Sequence, residues 1–156
     1  MAMAAAAMVL GFCDTSHTTA QTGISGAAAA KSPDFGPSDW GGKPMVRALF
    51  IGNSQIAFHR LHQLVSVLSE SGPPQCPRIE GHAFVRGGAN LRQIIQEGTR
   101  DGDDLRESIR TGDYDVVVIA ESIHMYDWRS KQYPRWFYQD AAKIVEMVRE
   151  SGAVPI

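Results

Sequence analysis

The sequence is short of most features that would announce a function by composition. Only two of its 156 residues are cysteines, Cys13 and Cys76, and neither has the spacing of a metal-ligand pair, so no disulfide framework and no zinc site can be argued. Fifteen Lys and Arg stand against seventeen Asp and Glu, a net charge of −2, so there is no electrostatic case for nucleic acid or for an anionic membrane surface as partner. No apolar run approaches the roughly 20 residues of a bilayer span, so no transmembrane segment is expected. There is no internal repeat. Lys and Arg are absent from the first thirty residues, and Asp and Glu almost so.

What is present begins with a segment that does not look folded. Met1 to Phe12 is apolar and rich in Ala and Met, like the hydrophobic stretch of a secretory signal, with Cys13 a candidate lipid attachment site. Thr15 to Lys43 is rich in Ala, Gly, Ser, Thr and Pro, with too little apolar surface to offset the entropy of ordering it. Residues 1–44 therefore read as a leader and flexible linker, and residues 45–156 as the folded domain. Export is the expectation, a cytoplasmic location the alternative.

From Met45 the pattern is regular. Val46 to Ile51 is a short apolar run suited to a strand covered on both faces, and Asp115 to Ala120 is a second, richer in β-branched residues. A third strand is predicted within Arg78–Val85, bounded by Pro77 and Gly87. The spacing of Phe58, Leu61, Leu64, Val65 and Leu68 predicts one helix over Gln55–Ser69. Leu91, Ile94 and Ile95 mark another, Leu105 and Ile109 a short one, and Phe137, Ala141, Ile144, Val145 and Val148 a long one opened by Pro134 and stopped by Gly152. Val154 to Ile156 starts a further strand. Strands alternating with helices imply a parallel sheet with right-handed crossovers.

Three short motifs fall at the ends of successive strands: Gly52-Asn53-Ser54, Arg86-Gly87-Gly88-Ala89-Asn90 and Ala120-Glu121-Ser122. In an open α/β sheet that edge is where ligands bind. A serine between strand and helix can be a nucleophile or merely a helix cap. Glycine lets the main chain approach a ligand closely and takes positive φ without cost.

Taken together, the three motifs resemble the SGNH (GDSL-type) hydrolase family, in a form with Gly-Asn-Ser in the first block, over Arg47 to Ile156. The resemblance implies a flavodoxin-like three-layer α/β/α sandwich with a parallel sheet. It also implies an acyl or acetyl esterase, with carbohydrate esters as one substrate class, working through an acyl-serine intermediate without metal or organic cofactor. By position Ser54 would be the nucleophile, and the N–H groups of Ser54 and Gly88, with Gly87 the near alternative, would hold the oxyanion. Two departures follow. No residue matches the family's third-block Asn, for which Asn90 is a substitute, and the chain stops before the place of the family's Asp-x-x-His loop. A truncated domain of weak or no activity is thus expected, and a non-catalytic acyl- or sugar-binding module is the alternative.

Asn53, Glu121, Ser122, His124 and Trp128 are the candidate substrate-binding residues. His124, three after Glu121, is also the best-placed internal base. Tyr126, Trp128, Tyr133, Trp136, Phe137 and Tyr138 form an aromatic group that could line a sugar site or simply pack. Nothing in the residues sets an oligomeric state.

Overall fold

The computed structural model describes residues 43–74, 76–121 and 133–156. The expected leader with Cys13, and the candidates Ser122, His124, Tyr126 and Trp128, lie outside the described residues.

Strand β1 runs Met45–Gly52 and β2 runs Arg78–Val85; β3 is Val116–Ile119 and β4 is Val154–Pro155. All pairings are parallel and the order is β2-β1-β3-β4, so β1 is interior and receives β2 on one side and β3 on the other. Helices α1 (Ser54–Phe58) and α2 (Leu61–Glu70) join β1 to β2. Helices α3 (Leu91–Glu97) and α4 (Leu105–Thr111) join β2 to β3, and α5 (Tyr133–Glu150) joins β3 to β4.

The side-chain period of two along a strand divides the core into two layers. Leu49, Ile51 and Val117 face Leu91, Ile94, Leu105, Ile109, Ile144 and Val148, the inner faces of α3, α4 and α5. Val46, Ala48, Phe50 and Val116 face Ile56 and Val65 from α1 and α2. The crossover towards β2 thus lies on one face of the sheet and those towards β3 and β4 on the other. Crossovers of one hand require that arrangement when the chain reverses its direction across the sheet. The result is the expected α/β sandwich, and the reversal makes the β1–β3 boundary its topological switch point.

One predicted helix is two. Arg60 takes a left-handed conformation, φ 46°, between α1 and α2. The break rotates the second segment, so the assumed stripe does not hold: Phe58 is 84% exposed and Leu64 47%. Ile56 and Val65 carry the packing instead. A second device fixes α2 on the sheet. Gly81 of β2 lies so close that a Cβ there would sit 2.2 Å from the His62 carbonyl oxygen.

Candidate functional site

Three strand ends meet at one edge. Gly52, Val85 and Ile119 close β1, β2 and β3, with Gly52 level with Val85 and Ile51 level with Ile119. The Arg86 N–H donates to the Gly52 carbonyl at 3.1 Å, and the Ala120 N–H to that of Ile51 at 2.9 Å. The first two motifs and the Ala120-Glu121 start of the third therefore leave the sheet side by side. Gly52 is required by this crowding: a Cβ there would lie 2.7 Å from the Ala120 oxygen and 2.9 Å from Ile56 Cδ1.

Ser54 is the first residue of α1 and is exposed. The helix cap is not Ser54 but Asn53. Its Oδ1 accepts from the Gln55 N–H at 3.1 Å, while its main-chain oxygen receives Ile56 and Ala57. Among the described residues nothing hydrogen-bonds the Ser54 hydroxyl or its N–H. First-turn N–H groups have no partner within their own helix, so this donor stays available to a ligand.

The second motif forms a turn closed by Ala89 N–H on Arg86 O at 3.3 Å. Gly88 occupies the turn's third position at φ 74°, a conformation that a Cβ would strain. The Gly87 carbonyl accepts from Arg100 Nη2 at 3.3 Å. The Gly87–Gly88 peptide bond is trans, so the Gly88 N–H points away from that carbonyl and from Arg100. Among the described residues it too donates to nothing. Arg86 ties the turn to the C-terminal end of α3, with Nη1 on the carbonyls of Gly98 and Thr99 at 3.2 Å each.

Asn90 caps α3. Its Oδ1 accepts from the Gln93 N–H and the Gln93 side chain returns a bond to the Asn90 N–H, both at 3.0 Å. Its side-chain oxygen is thereby committed to the helix.

Glu121 ties the first two motifs together. Oε1 accepts from Asn53 Nδ2 at 3.0 Å and Oε2 from the Leu91 N–H at 2.7 Å. One carboxylate therefore clamps the serine turn to the start of the helix that follows the glycine turn. The sequence reading set Asn53 and Glu121 against substrate; the structure has Asn53 buried, 3% exposed, and both Glu121 oxygens bonded within the protein. Asn53 uses both ends of its amide, which an aspartate could not do.

Two further histidines and the described aromatic residues are dispersed. His82 pairs in register with Leu49, three residues short of Gly52, and bonds Glu80 at 2.8 Å. His62 belongs to α2, and burial lowers its pKa, helped by His82 and Arg60. Of the aromatic group, Phe137 packs on the core and Tyr138 is 68% exposed. The sequence reading missed Asp140, wholly buried on α5, and its partner Arg92. The helical spacing of Asp140 from Phe137 and Ile144 was the available signal.

No family profile matches the chain, and no curated protein matches it. Among solved structures, a protein of Slackia heliotrinireducens provisionally described as an SGNH hydrolase is similar, with a TM-score of 0.54 and 22% identity. The likeness covers 71% of this chain and 54% of that one, so the chain spans about half the length of the structure it matches. At this identity the common property is the fold, and the chain has the same parallel α/β architecture as that protein.

Proposed function

We propose that the chain carries the nucleophile and oxyanion elements of an SGNH-type serine hydrolase acting on acyl or acetyl esters, and that the protein is exported. The observation that supports this most is the pairing of an exposed, uncommitted Ser54 with uncommitted N–H donors on adjoining strand ends.

In this reading Ser54 Oγ attacks the ester carbonyl and gives up its proton to a general base. The carbonyl oxygen becomes an oxyanion held by the N–H groups of Ser54 and Gly88. Collapse expels the alcohol, which takes the proton, and leaves an acyl-serine. Water then releases the acid and restores Ser54. A donor aimed at the oxyanion is worth about 3–4 kcal/mol in the transition state. Glu121 takes no proton here; its part is to keep the serine turn and the Leu91 end of α3 in register. Among the described histidines, His62 and His82 are placed away from this edge.

The test is labelling by a fluorophosphonate, on this chain and on the chain continued along its reading frame to the natural stop codon. Labelling that disappears in Ser54→Ala is expected. A continued chain that is folded and stays unlabelled overturns the hydrolase reading and leaves a binding module of the same fold.

A further inference from the structure

Asp140 is wholly buried, and burying a carboxylate costs several kcal/mol unless it is well partnered. Two cations share it. Arg92 Nε donates to Oδ2 at 3.2 Å and Lys143 Nζ to Oδ1 at 3.4 Å, and both side chains are about half exposed, 42% and 56%.

Arg92 is held by one nitrogen only. Its guanidinium lies over the Trp136 ring, 6.0 Å from the centroid, and among the described residues Nη1 and Nη2 have no acceptor. A bond from Nε and an aromatic backing fix the plane of the group while leaving its two-pronged end unspent. That end matches two oxygens of a carboxylate or phosphate. Pinning two helices needs no such geometry, since a lysine would serve. The position is also locally unfavourable, because a cation in the first turn of a helix opposes the helix dipole, and α3 has no acidic residue there to offset it.

The location ties the cluster to the candidate active site. Arg92 follows Leu91, whose N–H is clamped by Glu121, and the same carboxylate holds Asn53 beside Ser54. We infer that Arg92, oriented by Asp140 and Trp136, is an anion-recognition residue, and that the natural ester carries a carboxylate or phosphate group away from the scissile bond. The inference about the substrate rests on the proposed hydrolase function; the anion site itself does not.

The experiment is calorimetric titration of the chain with succinate, inorganic phosphate and, as the neutral control, dimethyl succinate. Binding of at least one anion is expected, weakening with added salt. It should fall about tenfold or more in Arg92→Gln and nearly as much in Arg92→Lys, which keeps the charge but not the fork. The preferred anion distinguishes carboxylate from phosphate. Binding by neither anion, or equal binding by folded Arg92→Lys and wild type, overturns the inference. Arg92→Lys keeps a cation for Asp140, so it covers the case in which Arg92→Gln fails to fold. Fluorophosphonate labelling of Ser54 is a separate readout. Anion binding by a folded, continued chain that stays unlabelled sinks the hydrolase reading alone, and labelling without anion binding sinks this one alone.

Discussion

Replacing Asn53 by Asp changes one atom's identity and sets two carboxylates against each other. Asn53 Nδ2 lies 3.0 Å from Glu121 Oε1, and Asn53 is 3% exposed. Two unit charges about 4 Å apart repel by about 4 kcal/mol at an effective dielectric of about 20. The protein can escape by keeping one carboxyl protonated. Raising its pKa from about 4 to above 7 costs about 1.4 kcal/mol per unit, again about 4 kcal/mol at pH 7. Since Glu121 is partly exposed, solvent reduces both figures, and a loss of about 2–4 kcal/mol is expected at neutral pH. The sign with pH is opposite to that of an ordinary salt-bridged carboxylate. A carboxyl whose folded pKa is raised binds more protons folded than unfolded, so Asn53→Asp should regain stability as pH falls from 7 towards 4.5. Glu121→Gln alone would face two amide donors and cost about 1–3 kcal/mol. Combining Asn53→Asp with Glu121→Gln restores the bonds to Asn53 and Leu91, the first with its polarity reversed. The new amide on the β3 side would donate to the new carboxylate on the β1 side and accept from Leu91 N–H, while that carboxylate still caps Gln55. The double variant should return to within about 1 kcal/mol of wild type, a coupling of about 3 kcal/mol across the pair. Urea unfolding of the four proteins at pH 7 and pH 4.5, compared at constant m-value, is the assay. A double variant no more stable than Asn53→Asp, or an Asn53→Asp deficit unchanged at pH 4.5, refutes the clamp.

Three further outcomes are expected. Gly88→Ala meets open space but must hold φ near 74°, so it should cost about 1–2 kcal/mol in stability while slowing fluorophosphonate labelling of Ser54 by up to about 100-fold; unchanged labelling removes Gly88 from the oxyanion role. Gly81→Ala would drive a methyl group into the His62 carbonyl and push α2 off the sheet, lowering stability by about 3 kcal/mol in urea unfolding. Asp115 has its pKa lowered: burial works against this, but bonds from Lys43 and from the Arg47 N–H outweigh it. Its contribution should therefore be fully present above the unfolded carboxylate pKa of about 3.9 and be lost as pH falls through the folded value. The stability gap between wild type and Asp115→Asn, about 1–2 kcal/mol at pH 7, should close on acidification; a gap that persists well below pH 4 contradicts the assignment.

The strands were legible because each carries its own evidence. β1 is apolar from Ala48 to Ile51 and β3 is an unbroken β-branched run, as suits interior strands, and β2 is bracketed by Pro77 and Gly87 although only Phe84 in it is buried. The break at Arg60 was not legible. No glycine or proline marks it, and it is held by packing of Ile56 on one side and Val65 on the other. The first two motifs could be read as they stand, since a serine or a glycine pair at a strand end has a local meaning. The clamp could not be, because Glu121 meets Asn53 across 68 residues and Leu91 across 30. Arg92 and Asp140, 48 residues apart, escaped for the same reason, and an isolated acidic residue on a helix looks like solvated surface until its neighbours are known.

The left-handed Arg60 leaves Ser54 on a helix of five residues, too brief for helical cooperativity to hold it. Its rigidity is borrowed: from Ile56, 2% exposed, sunk into the sheet, and from an amide shared with a distant strand end. The hydroxyl therefore moves with β1 and β3 and not with α2. Sequence drift or thermal loosening along α2 should leave the reactive corner in place, whereas a disturbance at the mouth of β3 is delivered to it directly.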